Sequence, residues 1–180
     1  MNLSGKIRID AYDPRWPSFY EVERAGIAAS LAPWLVAIEH IGSTSVPGLA
    51  AKPIIDIMPG LRPDAGKDEL DSCVQPMIDL GFTYIGQYES ELPERRFFRR
   101  TATDGGAGAD AGRQAVNVHL VAVGSGFWQR HLKFRDILRG DAQVCRRYEK
   151  LKLELAAVHS VVNDYAEAKT DFIREVLERY

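Results

Sequence analysis

The chain has 180 residues, 46% hydrophobic and 27% charged, with a formal net charge of −2. That is enough for one domain with a real core, and the near-neutral balance supplies no whole-molecule field for gripping nucleic acid. No run of about 18 apolar residues occurs, and the opening "MNLSGKIRIDAYDPRW" lacks the basic-then-apolar form of a signal peptide, so a cytoplasmic protein is expected.

In chain order, "DPRWPSFYEVERAGIAASL" predicts a first helix from about Pro17 to Leu31, with Asp13 as cap and Phe19, Val22, Ile27 and Leu31 near helical spacing. "WLVAIEHIGS" and "PIIDIMPG" read as strands. Asp64 to Leu80 follows one helical pattern through Leu70, Val74, Met77 and Leu80, with Gly81 as its stop. "FTYIGQY", "RRFFRRT" and "AVNVHLVAV" read as three further strands, the last two joined by "DGGAGADAGR" as a hairpin loop. From Gly124 onward three helical segments follow, with Asp141 and Asn163 as caps and Gly140 as a stop. Strands in the middle, helices at both ends and no repeat or linker predict one α+β domain over residues 1–180. Cys73 and Cys145 form no C-x-x-C pair, which excludes zinc held by cysteine and suits a reducing compartment.

The chemistry concentrates in "IEHIGSTSVPGLAAKPIIDI". Gly42 and Ser43 open a turn after an apolar strand, where glycine permits close approach and a hydroxyl with neighbouring N–H groups suits phosphate oxygens. The same pair is also a common structural turn. Asp56 lies between Ile55 and Ile57, where an ionised carboxylate is costly unless paired or metal-bound; it faces either a cleft or solvent. Lys52 reads as a loop lysine or as a partner for Asp56 or a phosphate. On "AVNVHLVAV", Asn117 and His119 share a face, and His119 reaches Asp56 if the two strands are neighbours. It would then bind a metal, act as acid–base group or contact a phosphate, the alternative being a histidine satisfied by a carbonyl. His40 shares parity with Gly42 and is expected on the cleft side in preference to Glu39. In "ELPERRFFRR", Arg96 and Arg100 face one way and Arg95 and Arg99 the other. Lys152 and Lys169 read as solvated lysines or ligand contacts, and Tyr165 as a core position.

The opening segment resembles the signature of the GrpB family, within the nucleotidyltransferase superfamily whose fold is that of DNA polymerase β. "YDPRWPSFYEVE", "VNVHLVAVGSGFW", "FRDILRG", "YEKLK" and "YAEAKTDFI" extend the resemblance over nearly the whole chain. It implies a nucleotidyltransferase-like mixed sheet with helices packed on it and a C-terminal helical segment. It also implies nucleotide phosphates at Gly42, Ser43, Thr44 and Lys52, a divalent ion (Mg or Mn) at Asp56, and a nucleoside triphosphate as substrate. An anionic ligand brings in one arginine row; Arg96 and Arg100 are the expected contacts, with Arg99 in reserve.

One departure stands out. The superfamily's Asp-x-Asp would place a second carboxylate at position 58, where this chain has Met58. The later strand offers Asn117 and His119 in place of a third acid. A thioether is a poor magnesium ligand, and two-ion phosphoryl transfer needs several carboxylates. Three readings follow: a nucleotidyltransferase with Asp56 and His119 as catalytic residues, a binding module that has lost the carboxylate cluster, and a hydrolase or phosphotransferase using His119 and Asp56 with a transition metal. The expected partner is a nucleotide or other small phosphorylated ligand, with no membrane, no strong nucleic-acid signal, and a homo-oligomer left open.

Overall fold

The computed structural model describes residues 7–103, 114–158, 165 and 167–180. Helix α1 (Trp16–Ser30) starts where Asp13 turns the chain: its carbonyl accepts the Trp16 N–H at 3.1 Å and its Oδ1 the Arg15 N–H at 2.9 Å. Pro17 sits in the first turn, where a missing N–H costs nothing.

Five strands form one sheet in the order β1 (Leu35–Ile41), β2 (Ile54–Leu61), β5 (Ala115–Ala122), β4 (Arg96–Arg100), β3 (Thr83–Tyr84). Only β2 and β5 run parallel; the other neighbours are antiparallel. Strand alternation sends Ile55, Ile57, Val116, Val118, Leu120 and Phe98 to one side, where α1 and the helices α2 (Lys67–Ser72) and α3 (Val74–Asp79) cover them. On the other side Ile41, Met58 and Val121 pack against Phe127 and Trp128 of helix α4 (Gly126–Gly140). The contact is close: a Cβ on Gly60 would lie 2.6 Å from the Trp128 ring.

A third apolar cluster joins Val46 and Leu49, in the loop after β1, to Leu138 of α4, Val144 and Tyr148 of α5 (Ala142–Val158), and Val176 of α6 (Thr170–Arg179). The C-terminal helices therefore sit on the loop that carries the Gly-Ser turn. Asp141 caps α5 as expected, its Oδ1 accepting the Gln143 and Val144 N–H groups at 2.8 and 3.0 Å.

Two elements differ from the sequence reading. The helix expected from Asp64 to Leu80 divides at Cys73, because Pro76 lacks an N–H and its ring opposes the carbonyl four residues back. The strand expected over "FTYIGQY" shrinks to Thr83–Tyr84 and gives way to a 3₁₀ turn at Gly86–Tyr88. The "DGGAGADAGR" loop and the Asn163 cap lie outside the described residues. Among the described residues no helix is long and apolar enough to cross a membrane.

Candidate functional site

Register across the sheet assembles the site. Ile41 lies opposite Asp56, Asp56 beside Asn117, and Asn117 opposite Arg99, so β1, β2, β5 and β4 contribute one row. Hydrogen bonds run along it: Arg99 Nε donates to Asn117 Oδ1 at 3.3 Å, and Asn117 Nδ2 donates to Asp56 Oδ1 at 2.9 Å. Gly42 borders this row with φ of 69°, and a Cβ there would collide with the Asp56 carboxylate. Glycine is needed both for the left-handed backbone and for the space. The first i→i+3 bond of the following turn is Ser45 N–H to Gly42 O, at 3.2 Å.

His119 lies one step along the same face, its Nε2 3.9 Å from Asp56 Oδ1. Its Nδ1 is 3.2 Å from Arg95 Nη1. A guanidinium only donates, so Nδ1 accepts and the proton of the neutral ring sits on Nε2, pointing toward Asp56. Burial pushes the imidazole below its usual pKa, with Arg95 and Arg99 adding to it against the pull of Asp56. For Asp56, burial works against the charge, but His119, Asn117 and Lys52 outweigh it and hold the carboxyl below its usual range. The carboxylate is thus ionised, and His119 presents it with a donor. In this tautomer Nε2 carries the ring proton, so a metal on Nε2 would have to displace it.

Two lysines face Asp56, and a third lies behind them. Lys169 Nζ lies 4.1 Å from the Tyr165 ring centre, and Lys52 Nζ lies 5.6 Å from the same ring. Lys152, 2% exposed, donates to the Ala50 carbonyl and stands over the Tyr148 ring. Burial brings the Lys169 ammonium down to about 8, with Lys52 contributing and Asp56 opposing. Burial brings Lys152 down to about 7, with Lys169 adding to the shift and Glu149 opposing it. Lys52 is lowered too, by burial foremost. Among the described residues neither these lysines nor Arg95 and Arg99 form an ion pair within 4 Å of a carboxylate.

Other predicted residues lie elsewhere. Arg96 and Arg100 point to the opposite side of the sheet: Arg96 Nε donates to Asp71 Oδ1 at 2.7 Å, and Arg100 pairs with Glu23. Their register partners Leu120 and Val116 belong to the main core, so the expected row is the structural one and Arg95 with Arg99 face Asp56. His40 also turns to the core side, opposite Ile57 and stacked on Tyr20 at 4.7 Å; Glu39, opposite Met58, has the cleft-side parity and pairs with Arg135 at 2.6 Å. The Thr44 hydroxyl points inward, donating to the Ile54 carbonyl at 3.2 Å and meeting His40 Nε2 at 3.1 Å. Tyr148 and Tyr165 join the site as lysine platforms, which their apolar helical spacing hid.

Position 58 is occupied by a fully buried methionine beneath Phe127 and Trp128. No group of three His, Cys, Asp or Glu residues that could hold a metal occurs among the described residues. One ionised carboxylate fits a single magnesium ion that brings most of its oxygens from phosphate and water, and does not fit a two-ion centre.

A family model described as GrpB protein matches residues 6–179. The chain belongs to the GrpB family. A UPF0157 protein of Halalkalibacterium halodurans is 34% identical over 98% of this chain and 83% of its own length. The UPF0157 protein YqkA of Bacillus subtilis is 33% identical over 96% of this chain, which spans only 47% of that relative. The conserved protein GrpB from Enterococcus faecalis has a crystal structure matching 96% of this chain and 99% of its own, with TM-score 0.77 and 30% identity. Cid1 in complex with its short product ApU matches with TM-score 0.52 and 10% identity, over 80% of this chain and 42% of its own. That likeness gives the GrpB chain a nucleotidyltransferase-type fold, as the sequence resemblance implied.

Proposed function

We propose that this protein binds a nucleoside triphosphate on the Asp56 face and does not transfer its nucleotidyl group. The observation that carries this reading is the imbalance around Asp56: Lys52 and Lys169 face it, Arg95 and Arg99 face its neighbour His119, and Lys152 stands beside Lys169, while the acids that act on them are Asp56, Glu149 and, near Arg95, Glu94 and Glu91. Clustered cations held outside ion-pair range of a carboxylate favour an anion from outside, and Lys52, Lys169, Arg95 and Arg99 are the partly exposed members of the group. Lys52, Lys169 and the Gly42–Ser43 turn would contact the phosphates. Asp56 would hold a magnesium ion shared with them, and that ion would neutralise phosphate charge. The buried Met58 leaves no second carboxylate to support a two-ion transfer.

The test is calorimetric titration with ATP, GTP, CTP and UTP, with and without magnesium, alongside a pyrophosphate-release assay. Binding without release is expected, with the magnesium contribution lost in Asp56→Asn. Sustained release abolished by Asp56→Asn would replace this reading with a transferase. Failure of all four nucleotides to bind would overturn it outright.

A further inference from the structure

Resting on that reading, the chemistry of the same site says which part of a nucleotide it recognises. A base is usually gripped by an exposed aromatic face or by convergent donors and acceptors. Here the rings near the cations are already in use. Phe97 is 7% and Phe127 4% exposed, with the Arg95 guanidinium 5.0 and 5.4 Å from their centres, and the half-buried Tyr88 carries the same guanidinium at 5.9 Å and packs edge-on to Phe97. Tyr165, 1% exposed, carries Lys52 and Lys169, and Tyr148, 5% exposed, carries Lys152. The Asn117 amide is spent on Arg99 and Asp56. What the described residues leave open on this face is positive charge.

That charge is held together against its own repulsion. Two ammonium groups share the Tyr165 ring, and a third sits beneath them on the Ala50 carbonyl, among Tyr148, Glu149 and Cys145. The acids that offset them are Asp56, facing Lys52 and Lys169, and Glu149, whose Oε1 already accepts the Ala50 N–H at 2.9 Å. We propose that the site recognises the phosphate chain itself, taking inorganic tripolyphosphate and any nucleoside triphosphate alike, and takes up protons as the chain binds. The proton uptake follows because an added polyanion favours the charged lysines, so the bound state holds more protons than the free one. Burial has already brought Lys152 to about 7 and Lys169 to about 8. The lysine contribution to affinity therefore falls as pH rises through that range, while below about pH 6 protonation of the terminal phosphate works against binding.

The experiment is isothermal titration of the full chain with inorganic tripolyphosphate, pyrophosphate, AMP, ATP, GTP, CTP and UTP, in buffers of different ionisation enthalpy at pH 6.5 and 8.5. Tripolyphosphate and the four triphosphates should bind within about threefold of one another, and AMP at least about a hundredfold more weakly, as a loss of about 2.7 kcal/mol of charge contact requires. Lys169→Met should weaken tripolyphosphate about tenfold at pH 6.5 and reduce the proton uptake, with an unchanged melting temperature as the control for folding. A spread beyond tenfold among the four bases, AMP binding as tightly as ATP, or binding without proton uptake would each overturn the inference while leaving nucleotide binding intact. If no nucleotide and no tripolyphosphate binds, the proposed function fails with it.

Discussion

Arg96 and Arg100 of β4 point to one side of the sheet, and Arg99 with Arg95, the residue just before the strand, to the other. The first pair meets acids carried by the covering helices, Asp71 of α2 and Glu23 of α1. The second pair meets an imidazole and an amide, His119 and Asn117. The side chains are identical, so the difference lies in what the packed elements bring. Helices that supply carboxylates turn arginine into a structural strut. Segments that supply lysines turn the opposite face into a reservoir of uncompensated charge, and only there does an external anion gain much.

The largest expected effect comes from placing an acid on the wrong side of that division. Met58→Asp buries a carboxylate under Phe127 and Trp128 and should cost about 4 kcal/mol in urea unfolding without producing pyrophosphate release. A stability loss below about 1 kcal/mol would show that the cleft face tolerates acids after all. Next, Arg100→Met strands the buried Glu23 and should cost about 3 kcal/mol.

His40 sits on the structural side and gives a pH signature. Burial pushes its imidazole down to about 4, with Arg139 and Arg135 assisting and Asp56 opposing. The folded state therefore binds fewer protons than the unfolded one between pH 4 and 6.5, and stability falls as pH drops through that window, by roughly 3 kcal/mol from this residue. His40→Gln should flatten part of the curve measured by chemical denaturation at each pH. Gly42→Ala should cost about 1–2 kcal/mol through its left-handed backbone, and should also weaken nucleotide binding by displacing Asp56. The smallest stability effect belongs to the other arginine row. Arg99→Met should shift unfolding by less than about 0.5 kcal/mol while weakening nucleotide binding, the reverse of Arg100→Met. If both rows weaken stability equally, the distinction between them collapses.

Much of this arrangement was legible from alternation alone. Asn117 and His119 share a face in any straight strand, and the parallel pairing of β2 with β5 brings Asp56 beside them. The arginine rows were harder, because each side of "RRFFRR" carries one phenylalanine and nothing local says which side α1 will cover. His40 went astray at Gly42, whose positive φ bends the chain out of the two-residue rhythm and voids a parity count carried across it. The break at Pro76 was visible in the residue itself but masked by the apolar spacing around it. The lysine cluster depends on how α5 and residue 169 dock on a loop distant in sequence, a long-range outcome that local pattern does not encode.

The Ala50 peptide is held from both ends, its carbonyl by Lys152 and its N–H by Glu149, contacts that span 102 and 99 residues. During synthesis the five strands can pair once residue 122 is free, because the sheet uses nothing beyond it. The cation cluster must wait for Lys169. A ribosome-bound chain thus passes through a stage that owns its sheet and its aspartate but still lacks Lys152 and Lys169, so the proposed phosphate site is completed only after the sheet that carries it.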